Sequence, residues 1–358
     1  MKPLSGCFQP EWLYWQGRLW YKPVIELAEG HLRSLNPLGG AGATPLEGLL
    51  SPAWTNAHTH LELSHFRGRL PQGRGMIAFL EAMGPQRGKA SPKQIYAALE
   101  EATHEGTWAF VSHQNSPLPD EALPAGVVVQ PLGEFFGLSP RGARRRLRAA
   151  SRLGYPLTPH SLYALSRPLL RAGRRCTPFP RSVHFFESLE ERLWLCKGRG
   201  PFKVFFRRFR RVPFPPRWVY WLKQWYKKAP ALWLVHTTEA PEGVLETLLT
   251  RYPRLYGVLC PLANRYLFLR SPNVEFWKRW PGRFLLGTDS LANASSLSLW
   301  PVVRYLVQAG LPWELVLQAA ADTPRTWIKA PPHWVQIHPL RAALGLEPAT
   351  QARTLSGE

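Results

Sequence analysis

The amino-acid sequence predicts an α/β protein, a (β/α)8 barrel of the TIM type with a small composite β domain. Eight short apolar or β-branched runs alternate with segments of helical periodicity, and eight is the number of parallel strands that closes such a barrel. The chain has 358 residues, of which 45% are hydrophobic and 19% are charged. A chain of this length and composition can bury the core of one large and one small domain.

The barrel is predicted over residues 51–324 and the small β domain over residues 1–50 together with residues 325–358. Residues 12–50 contain segments such as LYWQGRLW that are typical of short strands and turns, and the tail either completes their domain or frays. The runs predicted as barrel strands are residues 53–57, 108–113, 126–132, 155–159, 182–187, 232–237, 255–261 and 284–289.

Histidine and acidic residues stand at the ends of several predicted barrel strands. Side chains at the C-terminal ends of barrel strands share one rim, so these residues are expected to converge. Alternate residues of an extended segment point the same way, so the two histidines of NAHTH can bind one ion. The strand-end residues are His58, His60, His160, His184, Glu187, His236 and Asp289.

Each of these features alone has an ordinary explanation, since an isolated H-x-H is more often a surface or turn feature and Asp289 could cap a helix. Their placement on several strand ends of one barrel favours a shared site. Five other histidines match no pattern and are interpreted as structural or surface residues: His65, His104, His113, His333 and His338.

The motifs NAHTH, TPHSLY, HFFES, LVHTTE, CPLAN and GTDSLAN resemble the amidohydrolase superfamily over roughly residues 51–326. The resemblance is to its mononuclear aminohydrolases of purines and related heterocycles. HTHLELS, GTDS and SLSLW are most similar to the aminodeoxyfutalosine deaminases and their chlorohydrolase-like relatives.

This resemblance implies a set of site residues. The metal would be bound by His58, His60, His184 and Asp289, and Asp289 would also be catalytic. Glu187 would be the proton shuttle, and His236 would hydrogen-bond the attacking water or oxyanion. The substrate would be contacted by Glu62, His160 and Ser290. The chain departs from the family at Ala263 and Ala292, where serine is usual, which affects substrate contacts.

One ion is expected, because residues 155–160 contain no lysine of the kind that bridges two ions in binuclear members of the family. The histidine and aspartate donors suit a divalent ion, Zn²⁺ first and Fe²⁺ as the alternative. Such an ion lowers the pKa of bound water towards about 7, and Glu187 can pass the proton to a ring nitrogen.

The predicted function is therefore hydrolytic deamination of an adenine-type nucleoside, with 6-amino-6-deoxyfutalosine of menaquinone biosynthesis as the substrate. One alternative is a deaminase or hydrolase of another purine or heterocycle derivative. The other is a basic protein that binds nucleic acid on a degenerate barrel.

The net charge of +21 raises that second alternative, because three stretches rich in Arg and Lys lie at residues 141–152, 171–175 and 203–228. Arg144 and Arg148 are four residues apart on a predicted outer helix, which favours a solvated face.

The expected partner is a nucleoside-like, anionic small molecule, with no membrane partner and with a homo-oligomer left open. Four dispersed cysteines and no signal peptide or apolar span predict a cytoplasmic protein.

Overall fold

The computed structural model describes residues 4–84, 88–207, 217–331, 333–337 and 352–355, the last four as backbone alone. Its strands are β1 (Gly6–Trp15), β2 (Arg18–Tyr21), β3 (Val24–Ala28), β4 (His31–Asn36), β5 (Thr44–Pro52), β6 (Trp54–Thr59), β7 (Thr107–Gln114), β8 (Val128–Phe135), β9 (Leu157–Pro159), β10 (Arg181–Phe185), β11 (Leu232–His236), β12 (Leu255–Leu259), β13 (Phe284–Leu286), β14 (Trp334–Ile337) and β15 (Ala352–Leu355).

Strands β6 to β13 form the barrel, and each overlaps one of the eight predicted runs. They pair in parallel in chain order, as the sheets β6-β7-β8-β9 and β10-β11-β12-β13. Parallel bridges from Ser161 to His184 and from Thr59 to Asp289 join the two sheets at both seams. The predicted (β/α)8 barrel is therefore confirmed, and β8 ends three residues beyond its predicted run, which places Glu134 on the strand.

Helices cover the outside of the barrel. They are α1 (Gly75–Met83), α2 (Pro92–His104), α3 (Ala143–Arg152), α4 (Arg167–Ala172), α5 (Leu189–Lys197), α6 (Pro201–Arg207), α7 (Trp218–Tyr226), α8 (Glu242–Arg251), α9 (Pro261–Phe268), α10 (Val274–Lys278), α11 (Trp300–Gln308) and α12 (Trp313–Leu317). Helix α3 is the predicted arginine-rich outer helix: it buries Ala143 and Ala150 and exposes Arg144 and Arg148. Among the described residues, no helix has the length and apolar character needed to cross a membrane.

The terminal segments of the chain meet in a second sheet of seven strands. Its order is β15-β14-β5-β1-β3-β4, with β2 paired to β1. Strand β14 runs antiparallel to β5, and the indole N–H of Trp334 donates a 2.9 Å hydrogen bond to the carbonyl oxygen of Gly30. Trp334 packs there with the buried residues Leu13, Ile25 and Leu50. The tail thus contributes to the sheet of the N-terminal strands, while the predicted domain boundaries stay a prediction.

Candidate active site

The ends of β6 and β13 are held together so that their polar residues meet. The Asn56 side chain donates hydrogen bonds of 2.7 Å to Thr288 Oγ1 and 2.9 Å to the carbonyl oxygen of Leu297. The backbone N–H of His60 donates to the carbonyl oxygen of Asp289 at 2.7 Å, and that of Asp289 donates to His58 at 3.0 Å. These bonds bring the two histidines and the aspartate, more than 200 residues apart, to one point.

Gly287 is required for this close approach. A Cβ atom at that position would lie 3.0 Å from the Cβ atom of His58 and 2.9 Å from Cys260 Sγ. Two residues later, Asp289 has a φ of +66°, in the left-handed region that costs a non-glycine residue about 1–3 kcal/mol. The glycine and the unusual backbone together aim the Asp289 carboxylate at the histidines of β6.

Four buried donors, His58, His60, His184 and Asp289, form a compact cage. The Nε2 atoms of His60 and His184 are 3.4 Å apart, and Asp289 Oδ1 lies 3.4 Å from His58 Nε2 and 3.5 Å from His60 Nε2. A tetrahedral ion with bonds of about 2.1 Å holds its ligands about 3.4 Å apart. The spacing therefore fits one divalent ion.

The chemical state of these donors also fits a cation. Burial lowers the pKa of His58 and of His184 well below the ordinary value, so both imidazoles are neutral. Burial alone would raise the pKa of Asp289, but the neighbouring His58 and His236 imidazoles lower it. Both ring nitrogens of His58 are buried without a hydrogen-bond partner among the described residues. A metal ion would bind the free lone pair of this imidazole.

Neighbouring groups orient the ligands. His184 Nδ1 lies 2.9 Å from the carbonyl oxygen of His160, which leaves Nε2 for the cage. The Asn293 side chain donates a 2.5 Å hydrogen bond to Asp289 Oδ2, whereas Asp289 Oδ1 is the oxygen near His58 and His60. Asn56 and Asn293 lie inside the NAHTH and GTDSLAN motifs, but their positioning contacts were not among the sequence predictions.

Glu187 and His236 lie beside the cage. His236 Nε2 is 3.6 Å from Glu187 Oε1 and 3.9 Å from Asp289 Oδ2, and all three residues are buried. Burial and the neighbouring Asp289 raise the pKa of Glu187 well above its ordinary value. Burial lowers the pKa of His236 to about 4. A carboxyl with a raised pKa and a neutral imidazole are thus placed next to the cation position.

The three predicted substrate contacts have different surroundings. The His160 ring stacks on His184 at 4.3 Å, and its Nδ1 atom has no partner in the described part of the chain. Glu62 accepts three hydrogen bonds of 2.9–3.0 Å from Asn115 and Ser116. The Ser290 hydroxyl donates to Asn293 Oδ1 at 3.0 Å. The substrate role of all three stays a prediction.

One histidine that matched no sequence pattern lies in the site. His113, at the end of β7, is fully buried, and its ring centroid is 4.5 Å from that of His58. Its Nδ1 atom is 2.8 Å from Glu134 Oε1. Burial alone would raise the pKa of Glu134, but His160 and the hydrogen bond from His113 lower it. His113 was interpreted from the sequence as a structural or surface residue, and the structure places it, buried, beside His58; its position at a strand end was the available signal. His338 lies outside the described residues.

No family model matches the chain. Two curated proteins are similar to it in sequence. The aminodeoxyfutalosine deaminase of Nitratiruptor sp. is 27% identical over 279 residues, which cover 72% of this chain and 67% of that protein. The adenosine deaminase of Helicobacter pylori is 25% identical over 293 residues, which cover 74% of this chain and 69% of that protein.

Solved structures share the fold. The crystal structure of Helicobacter pylori aminofutalosine deaminase in complex with methylthio-coformycin has a TM-score of 0.69 and 18% identity, covering 99% of this chain and 93% of that one. An adenosine deaminase from Xanthomonas campestris with bound zinc has a TM-score of 0.64 and 16% identity, covering 97% and 87%. The predicted resemblance to the amidohydrolase superfamily is confirmed. The two sequence relatives are named as deaminases, which are hydrolases that act on carbon–nitrogen bonds other than peptide bonds.

Proposed function

We propose that this protein is a zinc-dependent deaminase of an adenine-type nucleoside, with 6-amino-6-deoxyfutalosine of menaquinone biosynthesis as its substrate. The observation that carries the proposal is the placement of buried Glu187 and His236 directly beside the four-donor cage. Hydrolytic deamination needs an electrophilic cation, a group that moves a proton and a group that stabilises the developing oxyanion. The site has a candidate for each of these roles.

The proposed metal ligands are His58, His60, His184 and Asp289. When a divalent ion is bound there, it lowers the pKa of water towards about 7 and supplies a nucleophile at neutral pH. Zinc is proposed because tetrahedral nitrogen and oxygen ligands suit it, and a structural neighbour carries bound zinc. The four side chains come from three strand ends that backbone pairing holds in place, so the cage is largely preformed.

Glu187 is proposed to take a proton from the attacking water and to deliver it to a ring nitrogen of the substrate. A general acid–base group works best when its pKa is near the working pH, and burial beside Asp289 moves the pKa of Glu187 upward in that direction. Its backbone N–H donates a 2.8 Å hydrogen bond to Glu191 Oε2, which fixes the start of the segment after β10.

His236 is proposed to hydrogen-bond the water or the oxyanion that forms at the amine-bearing carbon. A pKa of about 4 keeps this imidazole neutral through the physiological range, so it acts as an oriented hydrogen-bond donor. Its φ of +72° places it in the left-handed region at the end of β11, and neither ring nitrogen has a partner among the described residues. Both nitrogens are therefore free to serve a ligand.

The substrate class rests on the relatives. The sequence relatives are named as deaminases of aminodeoxyfutalosine and of adenosine, and a structural neighbour binds methylthio-coformycin. His160, Glu62 and Ser290 are proposed to contact the substrate, His160 through its unpaired Nδ1 atom on the side of the mouth formed by β7 to β9.

The test is an ammonia-release assay of zinc-loaded protein against aminodeoxyfutalosine, adenosine, methylthioadenosine and guanosine. We expect release from the adenine-type nucleosides, fastest from aminodeoxyfutalosine, and background release from the Glu187→Gln variant. Release from guanosine alone would contradict the adenine-type assignment. No release from any of the four, with one zinc ion bound per chain, would refute the deaminase proposal.

A further inference from the structure

The peptide group that joins Phe186 to Glu187 is held at both of its ends. Its carbonyl oxygen accepts a 2.8 Å hydrogen bond from the backbone N–H of Glu239, and its N–H donates a 2.8 Å hydrogen bond to Glu191 Oε2. Phe186 has a φ of +49°, in the left-handed region that persists only where the surrounding structure enforces it. The two bonds therefore fix a peptide orientation that the backbone alone would not favour.

Glu191 makes this bond from the first turn of α5. Ser188 is the N-cap of that helix, and its Oγ atom accepts a 3.2 Å hydrogen bond from the backbone N–H of Glu191. In a capping box, the glutamate at this third position reaches back to the N–H of the N-cap residue. Glu191 reaches one residue further, to Glu187. Its carboxyl oxygen therefore serves the segment before the helix.

The burial of Glu191 also sets it apart from an ordinary cap. The side chain is fully buried, and its Oε1 atom has no hydrogen-bond partner in the part of the chain that the structure describes. Burial raises its pKa to about 8, although hydrogen bonds from the backbone of Glu187 and Phe186 lower it. A buried carboxyl with an unpaired oxygen costs free energy that a cap in water would avoid. The stability of α5 thus does not account for this side chain.

The bond acts on the Glu187 carboxyl through the backbone. The fixed peptide group sets the direction in which the Glu187 side chain leaves the chain, and Glu187 Oε1 lies 3.6 Å from His236 Nε2. We propose that Glu191 is a positioning residue, which aims the proton shuttle Glu187 at His236 and the cation position. This role rests on the proposed function, in which Glu187 moves the proton.

Three substitutions separate the acceptor oxygen of Glu191 from the rest of its side chain. Glu191→Gln keeps the length of the side chain and an oxygen that can accept from the Glu187 N–H. Glu191→Met keeps the length and removes the acceptor. Glu191→Asp keeps the carboxyl but withdraws it by one carbon–carbon bond, about 1.5 Å.

The experiment measures kcat, KM and metal content of the zinc-loaded full-length proteins with aminodeoxyfutalosine. We expect kcat of Glu191→Met to fall about 10- to 100-fold, because a displacement of about 1 Å at a reacting group has an effect of that size. KM should change by less than about twofold, and one zinc ion per chain should remain, because substrate and metal contacts are untouched. Glu191→Asp should show a smaller loss of the same kind, and Glu191→Gln should keep kcat within about twofold of the wild-type value.

Ser188→Ala is the matched control, because it removes the other cap bond of α5 and leaves the bond from Glu187 to Glu191 in place. It should lower the Tm and keep kcat. A purely structural Glu191 would lower the Tm of Glu191→Met and Ser188→Ala alike, with kcat unchanged in both. Unchanged kcat in Glu191→Met, or an equal loss in Ser188→Ala or Glu191→Gln, overturns the positioning role. If Glu191→Met does not fold, unchanged kcat in Glu191→Asp overturns it.

Crystal structures of the wild-type protein and the Glu191 variants give a readout that does not depend on activity. The Glu187 carboxyl should keep its place to within about 0.5 Å in Glu191→Gln and move by about 1 Å or more in Glu191→Met and Glu191→Asp. If the zinc-loaded wild-type protein releases no ammonia, the deaminase proposal fails, and this displacement alone decides whether Glu191 aims Glu187. Wild-type turnover in Glu191→Met with Glu187 unmoved refutes the positioning role and leaves the deaminase proposal standing.

Discussion

The two sides of the barrel mouth differ in how their buried polar atoms are paired. On the side of β6, β10, β11 and β13, both ring nitrogens of His58 and of His236 are buried without partners among the described residues. In the loop after β7, Asn115 and Ser116 donate hydrogen bonds to Glu62, which follows β6, and Asn115 also donates to Glu134 on β8. The two histidines of the first side are free to serve a ligand, whereas the two carboxylates that Asn115 joins are held by hydrogen bonds.

The backbone shows the same division. Phe186, His236, Thr237 and Asp289 have positive φ values, and all four lie at or just beyond strand ends on the first side. Among the described residues, no non-glycine residue with positive φ lies in the loops after β7, β8 or β9. Strained backbone is retained where the surrounding structure enforces it, and it clusters at reactive groups. These backbone values support the proposal that the side of β6, β10, β11 and β13 carries the chemistry.

The largest expected effect is on the first side, at Asp289. Asp289→Asn removes the only carboxylate of the four-donor cage, so metal content should fall below about one-tenth of an ion per chain and deamination should fall to background. Elemental analysis and ammonia release measure both quantities. Glu275→Gln, at an exposed position of helix α10, is the control and should keep both. Full metal content in Asp289→Asn would show that the cage is not the metal site.

Glu187→Gln tests the next step on the same side. The amide has the shape of the carboxyl but cannot accept the proton, so kcat should fall by about 10²- to 10⁴-fold with the metal content unchanged. Steady-state kinetics and elemental analysis measure this separation. Glu190→Gln, three residues along the same segment, should cost little. Near-normal turnover in Glu187→Gln would contradict its role as proton shuttle.

The buried Glu191 carboxyl should make the unfolding free energy of the protein depend on pH. Burial raises its pKa to about 8, above the unfolded value of about 4.5. A raised folded-state pKa gives stability that is complete below pH 4.5 and is lost as the pH rises through 8. Relative to Glu191→Gln, the wild-type protein should therefore lose on the order of 3–5 kcal/mol of unfolding free energy between pH 4.5 and 9. Urea unfolding of both proteins at several pH values measures the difference, and parallel curves would contradict it.

A matched pair of asparagines compares the two sides directly. Asn115→Ala breaks the network around Glu62 and Glu134, so we expect KM to rise about tenfold with kcat and metal content nearly unchanged. Asn293→Ala removes the hydrogen bond to Asp289 and should lower metal affinity about 10- to 100-fold, with kcat falling as metal is lost. The same kinetic effect in both variants would break the comparison.

The smallest expected effect concerns the positive charge of the whole molecule. If its field attracts an anionic substrate, kcat/KM for a carboxylate-bearing nucleoside should fall severalfold between low and high salt. The value for neutral adenosine should change little. Measurement of both substrates across ionic strength tests this, and an equal response would remove electrostatic steering.

Much of the barrel was predictable because its signal is local. Apolar runs of strand length, separated by helical periodicity, recur eight times, and each run contains or overlaps a barrel strand. The H-x-H motif and the polar residues that end later strands predicted a shared site, since the carboxyl ends of parallel strands share one rim, and the family resemblance implied which of them would bind the metal. His113 was missed although it also ends a strand, because no short motif accompanied it.

The sequence by itself determined the types of donor, their places at strand ends and the number of strands. Only the tertiary structure decided which donors meet, because closure of the barrel sets the distances between residues far apart in the chain. It placed His60 Nε2 3.4 Å from His184 Nε2, across 124 positions, and it paired His113 with Glu134. It also decided which polar atoms stay unpaired, since that depends on every neighbour that packing brings within about 3 Å.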